Sequence, residues 1–206
     1  MFLPEHIEKH YKKNKNRIRQ RLLDFKHVPE SEYFYELCFC LCTPQSKAEN
    51  ALIVEEKLKK LNFQNKNINP VRILNDKSHY IRFHNQKAKN LVDMKSIFPD
   101  FFSVLKSEMK PMEKRLWLAD NVKGLGMKES SHFLRNIGYR NLAILDRHIL
   151  KHLVECRVYK EIPKVSSVAR YLEVEKEFIN FSKQIKIPMD ELDLLFWSFE
   201  TGQIIK

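Results

Sequence analysis

Apolar residues recur at helical spacing along most of the chain, and no clear period-two alternation interrupts them, which predicts an all-α fold. The first apolar face passes through Ile7, Tyr11, Ile18 and Leu22 in a basic helix over residues 6–25, and Pro29 breaks it. Ser31 is placed to cap a second helix, with Tyr33, Phe34, Leu37, Cys38 and Leu41 as its apolar stripe. Pro44 ends that helix or opens the next. Residues 46–61 read as a third helix, with Ala48, Leu52 and Leu58 among its apolar positions. The stretch 62–83 is irregular and polar, with Pro70 inside it. Helical spacing returns over 86–97 through Ala88, Leu91 and Val92, and Pro99 and Pro111 punctuate the residues after it.

A helix is expected over residues 111–121, with Pro111 suited to its first turn, where no N–H is needed. A glycine pair comes next, then a helix to about Asn136 with Gly138 as its C-terminal cap. Residues 142–145 form a short apolar connector, and Asp146 opens a helix through Val154. Two further helices fit residues 167–185 and 190–201, the latter striped by Leu192, Leu195, Phe196 and Phe199. The chain carries no internal repeat and no low-complexity linker.

The 206 residues are enough for one domain or two small lobes around real cores. A hydrophobic fraction of 43% is ordinary for a soluble globular protein. No segment approaches the long uncharged apolar run of a membrane span, and the basic N-terminal stretch lacks the apolar core of a secretion signal. An intracellular protein without a membrane partner is therefore expected. Lys and Arg number 37 against 26 Asp and Glu, a formal net charge of +11. That excess suits a polyanion, because each phosphate neutralised releases counterions; a generic basic surface is the bland alternative. Cys38, Cys40 and Cys42 alternate within one apolar run, and Cys156 stands apart. Metal sites prefer CxxC-type spacing, so buried structural thiols are expected and no iron–sulfur cluster. Of only four glycines, Gly124 and Gly126 lie almost together, which marks that spot for an unusual backbone.

The spot opens the stretch KGLGMKESSHFLRNIG, residues 123–138, and LAILDRHIL comes after it at 142–150. A helix ending near Asn121, a tight turn through Lys123-Gly124-Leu125-Gly126 and a helix starting at once make a helix–hairpin–helix. Glycine at 124 and 126 permits positive φ and close approach of the backbone to a ligand. The N–H groups at the new helix start, aided by its dipole, make an anion site, and for a basic chain the natural anion is a DNA phosphate. Lys128 falls in the first turn of that helix, where cations are disfavoured. The position, with any desolvation, favours a neutral amine able to attack a sugar C1′ and form a Schiff base. Taken alone, a solvated surface lysine is the better reading. Asp146 lies eighteen residues on, at the start of the next helix. It reads as an N-cap, and also as a carboxylate that stabilises a cationic sugar as its base leaves. His132 reads as a structural hydrogen-bonding group, and Arg147 and His148 stay open between phosphate contact and solvent exposure.

Together these residues resemble the helix–hairpin–helix DNA glycosylase superfamily that includes endonuclease III. Within it, SHFLRNIGY at 131–139 and LAILDRHIL resemble the archaeal-type 8-oxoguanine DNA glycosylase/lyases, the second class of Ogg enzymes. ELCFCLCT at 36–43, RFHNQKAK at 82–89 and ELDLLFW at 191–197 sit where that family has similar blocks, so the resemblance spans nearly the whole chain. It implies that Lys128 is the Schiff-base lysine and Asp146 the catalytic aspartate. It implies that the backbone of Gly124, Leu125 and Gly126 holds a phosphate, often with a monovalent cation at the 123–126 hairpin. Arg82 and Phe83 match positions near the gap left by a flipped nucleotide, and Trp197 and the C-terminal Lys206 match residues lining the damaged-base pocket. From the residues alone, Phe83 reads equally as core, Trp197 reads more readily as core, and Lys206 reads as a frayed terminus. Where family members often carry Thr-Ala-Asn, this chain has Thr43-Pro44-Gln45-Ser46. That loop should face the DNA, with Gln45 against the orphaned base.

The resemblance implies an all-α glycosylase fold of two helical lobes with a DNA-binding cleft and without an iron–sulfur cluster. The single unit 1–206 would comprise a central lobe, 28–138, ending in the helix–hairpin–helix of about 111–138, and a second lobe from 1–27 and 139–206. The implied activity is excision of 8-oxoguanine from double-stranded DNA through a lysine Schiff base, then β-elimination, with no cofactor and no catalytic metal. The implied setting is a monomer in a prokaryotic cytoplasm, associated with the nucleoid. The alternatives are a glycosylase of other base specificity in the same superfamily, and a non-enzymatic helix–hairpin–helix module that only grips phosphates.

Overall fold

Ten α-helices and two 3-10 turns, with no strand, form in the computed structural model, which describes residues 1–206. The all-α expectation holds. The chain packs as two units, one of Met1–His27 with Leu134–Lys206 and the other of Val28–Phe133. No helix is long and apolar enough to cross a membrane.

In the first unit, α1 (Glu5–Lys26) buries Ile7, Tyr11, Ile18, Leu22 and Phe25, the face its spacing predicts. It packs along α10 (Met189–Thr201), which also meets α8 (Arg147–Glu155) and α9 (Val168–Gln184). With neighbours on several sides, α10 is buried continuously from Met189 to Phe196 rather than along one stripe, and Phe199 is left exposed. Its buried acids are paired: Glu191 accepts from Tyr11 Oη at 2.5 Å and from Arg19 Nε at 3.0 Å.

The second unit is built on α2 (Tyr33–Cys42), which packs against α3 (Ala48–Lys60) and α5 (His84–Lys106). Every residue from Phe34 to Cys42 is buried, so the expected stripe is a fully enclosed helix. Its three cysteines are free buried thiols, as expected, and Cys156 in the first unit is another. Ser31 does not cap α2; it lies in the 3-10 turn Glu30–Glu32, and the cap residue, Glu32, makes no side-chain cap bond. The third helix likewise begins at Ala48 rather than at Ser46, with Lys47 as its cap residue. The irregular stretch contains one short helix, α4 (Val71–Leu74), and the 3-10 turn Lys77–His79. Pro99 does not end α5, which continues to Lys106. Phe98, Phe101 and Leu105 keep its C-terminal half buried across the proline, so tertiary packing outweighs the lost backbone hydrogen bond. α6 (Pro111–Asn121) and the start of α7 (Met127–Asn136) complete this unit, whose border falls between Phe133 and Leu134.

Candidate active site

The hairpin is shaped by local sequence. Pro111 occupies the first turn of α6, and Glu113 Oε2 accepts the Lys110 N–H at 2.6 Å. After Asn121 the chain turns, with the Leu125 N–H donating to the Val122 carbonyl at 3.1 Å. Gly124 takes φ +92°, and a Cβ there would fall 2.3 Å from Asn90 Nδ2 and 3.2 Å from Leu41 Cδ2. Gly126 does not take a positive φ, so the expectation for both glycines holds only at 124. The Gly126 carbonyl instead accepts the first α7 bond, from the Ser130 N–H at 3.0 Å. Its own N–H donates to Glu129 Oε2 at 3.2 Å. An amide that the sequence offers to a phosphate is thus occupied by a carboxylate from the next turn.

Lys128 sits in the first turn of α7 with its side chain 30% exposed, and its Nζ lies 2.9 Å from Glu129 Oε1. The buried side of α7 is firmly seated. Arg115 Nη1 donates to Ser131 Oγ at 3.1 Å, Phe133 meets Phe101 edge-on at 5.2 Å, and the His132 ring meets Phe39 at 5.6 Å. The backbone carrying Lys128 is therefore held from behind.

Phe83 is the N-cap of α5, in a left-handed conformation (φ 59°), with 52% of its surface exposed, which removes the core reading. The Arg82 guanidinium lies 4.9 Å from the Phe83 ring centroid. Gln45 is exposed and also left-handed, with φ 55°. The two places are joined by Ser46, whose Oγ accepts the Arg82 N–H at 3.0 Å. Beneath them lies Lys87, a residue sequence reasoning passed over. It is buried, and its Nζ donates to the carbonyls of Cys42 (2.7 Å) and Pro44 (2.6 Å) and to Ser46 Oγ (3.3 Å). Burial pushes its pKa down to about 8, and the charge of Lys128 adds to the shift. A signal was present: Lys87, Leu91 and Met94 share the buried face of α5 at helical spacing.

In the first unit Asp146 caps α8, its Oδ1 accepting the N–H groups of His148 at 2.8 Å and Ile149 at 2.9 Å. The connector before it is buried and tied to α9. Glu175 Oε1 accepts the Ala143 N–H at 2.7 Å, and the Tyr171 hydroxyl donates to the Ala143 carbonyl at 2.6 Å while accepting the Leu145 N–H at 3.2 Å. Asp193 is buried on α10, with Arg135 Nη1 donating to it at 2.9 Å. Trp197 is half-buried on α10, and Lys206 is partly exposed beyond the Gly202 cap. Arg147 is exposed, and the His148 ring turns toward Glu200 at 3.6 Å.

The second unit thus carries a lysine in the first turn after a glycine-bearing hairpin, and the first unit an aspartate capping the helix after a pinned connector. Residues 18–187 match the family described as 8-oxoguanine DNA glycosylase, Ogg-HhH. The chain belongs to that family. It is 42% identical to the 8-oxoguanine DNA glycosylase/AP lyase of Fusobacterium nucleatum, over 97% of this chain and 96% of that protein. Its fold is similar to the crystal structure of the 8-oxoguanine DNA glycosylase of Thermotoga maritima, with a TM-score of 0.86, 29% identity and coverage of 98% of this chain and 97% of that one. It is equally similar, with a TM-score of 0.86, to the Methanocaldococcus jannaschii 8-oxoguanine glycosylase/lyase in complex with a 15mer DNA containing 8-oxoguanine. That match has 31% identity and covers 98% of this chain and all of the other. Membership of the Ogg-HhH family removes the reading of an isolated phosphate-gripping module.

Proposed function

We infer that the protein is a bifunctional 8-oxoguanine DNA glycosylase and AP lyase acting on double-stranded DNA. The observation that carries this reading is the family match over residues 18–187, joined to a lysine in the first turn after the hairpin and an aspartate capping the helix after the connector.

Lys128 is the nucleophile. Its neutral amine attacks C1′ of the damaged nucleotide as the C1′–N9 bond breaks, and the departing base takes the bonding pair and a proton. Loss of an amine proton and opening of the sugar ring leave a Schiff base between Nζ and C1′. The iminium acidifies the C2′ hydrogen, and its removal expels the 3′ phosphate and nicks the strand. Water then releases the lysine. Asp146, fixed by two backbone N–H groups, supplies a positioned carboxylate for the positive charge that builds on the sugar.

The base must leave the stack for C1′ to be reached. Phe83, exposed beside Arg82, fills the vacated space, and Gln45 meets the orphaned base. Trp197 offers an aromatic face to the extruded purine, with Lys206 at the edge of the same pocket. The backbone of Gly124, Leu125 and Gly126 receives a DNA phosphate. The carbonyl oxygens of the 123–126 hairpin are hard donors that fit a monovalent cation as a support for that turn.

The test is incubation with a duplex bearing one 8-oxoguanine opposite cytosine, followed by borohydride. A covalent adduct is expected, and Lys128→Gln should bind the duplex without forming it. An adduct retained by Lys128→Gln would transfer the role to another amine.

A further inference from the structure

Lys87 touches neither of the groups to which the chemistry is assigned, yet it is a buried lysine of the second unit with three hydrogen-bond acceptors around its ammonium. An ammonium has three donors. All three are used on one short segment: the carbonyls of Cys42 and Pro44 and the hydroxyl of Ser46. The Cys42 carbonyl belongs to the last turn of α2, whose carbonyls lack helical partners, so Lys87 also caps that helix. Ser46 Oγ passes the connection on by accepting the Arg82 N–H at 3.0 Å.

Two exposed side chains stand at the ends of this chain of bonds. Gln45 lies between two of the Lys87 acceptors, and Phe83 directly follows the residue that Ser46 holds. Both have a left-handed backbone, at φ 55° and φ 59°, which a non-glycine residue keeps only where its surroundings impose it. Lys87 is itself 6% exposed, so it acts through these neighbours and not on DNA directly. Burial holds its pKa down at about 8, with Lys128 adding to the shift and Cys42 and Glu129 opposing it, which reflects how enclosed the post is.

We propose that Lys87 is a positioning residue that locks Gln45 and Phe83 into one rigid reading edge, through the Cys42, Pro44 and Ser46 oxygens, so that both meet the DNA gap in register. The proposal rests on the assignment of Gln45 and Phe83 to the gap. A single buried post under both loops couples recognition of the orphaned base to filling of the vacated space. A loop that drifts by about an ångström loses much of a catalytic advantage that depends on placement.

Lys87→Met keeps an unbranched apolar stem one atom shorter and removes all three donors; Ser46→Ala removes only the shared hydroxyl. Three measurements are made on each: hydrogen exchange over 43–47 and 81–84, single-turnover excision of 8-oxoguanine opposite cytosine and opposite adenine, and cleavage of a single-stranded abasic site. Faster exchange in both segments is expected. Excision opposite cytosine should fall about 10- to 100-fold, by the usual sensitivity to misplacement. The preference between opposite bases should narrow, while single-strand cleavage stays within about twofold, since it needs no gap filling. A loss of stability alone would not narrow that preference. Unchanged exchange, unchanged excision, or single-strand cleavage falling in step with excision would each overturn the proposal. If Lys87→Met does not fold, Ser46→Ala decides by the same criteria. Phe83→Ala and Gln45→Ala identify the source of a failure. If they excise normally, the gap assignment has failed and takes the proposal with it. If they are impaired while Lys87→Met and Ser46→Ala are not, only the role of Lys87 is lost.

Discussion

Glu129 holds both features on which the hairpin depends: one carboxylate oxygen lies 2.9 Å from Lys128 Nζ, and the other accepts the Gly126 N–H at 3.2 Å. With that amide proposed as a phosphate donor and that amine as the nucleophile, a phosphate arriving at the hairpin would compete with Glu129 and free Lys128 from its counter-charge. Glu129→Gln keeps an acceptor for Gly126 but removes the carboxylate that pairs with Lys128 Nζ. Schiff-base formation should then rise roughly two- to fivefold, the scale of a partly exposed ion pair. A borohydride-trapping time course reads this directly. An unchanged or lower rate would confine Glu129 to capping Gly126.

Asp146 caps α8 and is proposed to serve the chemistry as well, and a single substitution separates the two. Asparagine caps helices about as well as aspartate, so Asp146→Asn should still accept the His148 and Ile149 N–H groups and shift the melting temperature by only a few degrees. The fixed charge beside the sugar is lost, and single-turnover excision should fall about 100- to 1000-fold. Near-normal excision with an intact fold would leave Asp146 as a cap alone.

The features legible in the chain are those set by a few adjacent residues. Pro111, the glycine pair, Gly138 and Asp146 place α6, the hairpin, α7 and the start of α8, because turns and caps are local chemistry. Ser31 and Ser46 mislead because a short polar side chain signals a cap without saying whether tertiary structure uses it; Ser46 serves Arg82, 36 positions away. Pro99 misleads because burial of Phe101 and Leu105 is invisible to a local breaker rule. Lys87 with Cys42, 45 positions apart, and Arg135 with Asp193, 58 apart, are pairings that only the folded chain brings together. The pocket roles proposed for Trp197 and Lys206 rest on the family resemblance, since spacing alone leaves them undefined.

Asp193 predicts a pH dependence of stability. Burial raises its pKa from 3.8 to about 7; Arg135 opposes the rise, and Asp146 and Asp190 add to it. Between those values the folded protein holds a proton that the unfolded chain has released, so the contribution of Asp193 is favourable at the acid end and fades as pH climbs toward 7. Relative to Asp193→Asn, the native protein should lose stability from pH 4 to pH 7, by at most about 4 kcal/mol on the linkage scale. Urea melts of both proteins at matched pH values measure the difference. Parallel stability curves would mean that Arg135 keeps the carboxylate charged throughout.

The two hairpin glycines should respond in opposite ways to the same change. Alanine at 124 must adopt φ +92° and place its Cβ 2.3 Å from Asn90 Nδ2, on a side chain already bonded to Gln86 at 3.0 Å. Strain and the forced movement of Asn90 should destabilise Gly124→Ala by about 1–3 kcal/mol. The turn would be displaced with them, weakening duplex binding at low salt. Alanine at 126 needs no unusual φ, and its Cβ meets only the end of the Glu129 side chain at 3.3 Å, which can give way. Gly126→Ala should stay within about 1 kcal/mol of the native protein, as substitutions that avoid strain and core usually do. Because Glu129 must shift, its hold on Lys128 should loosen, so trapping should rise as in Glu129→Gln. Thermal melts, duplex titrations and trapping on the two variants test the contrast; equal destabilisation would mean that close approach at Gly126 matters as much as backbone conformation at Gly124.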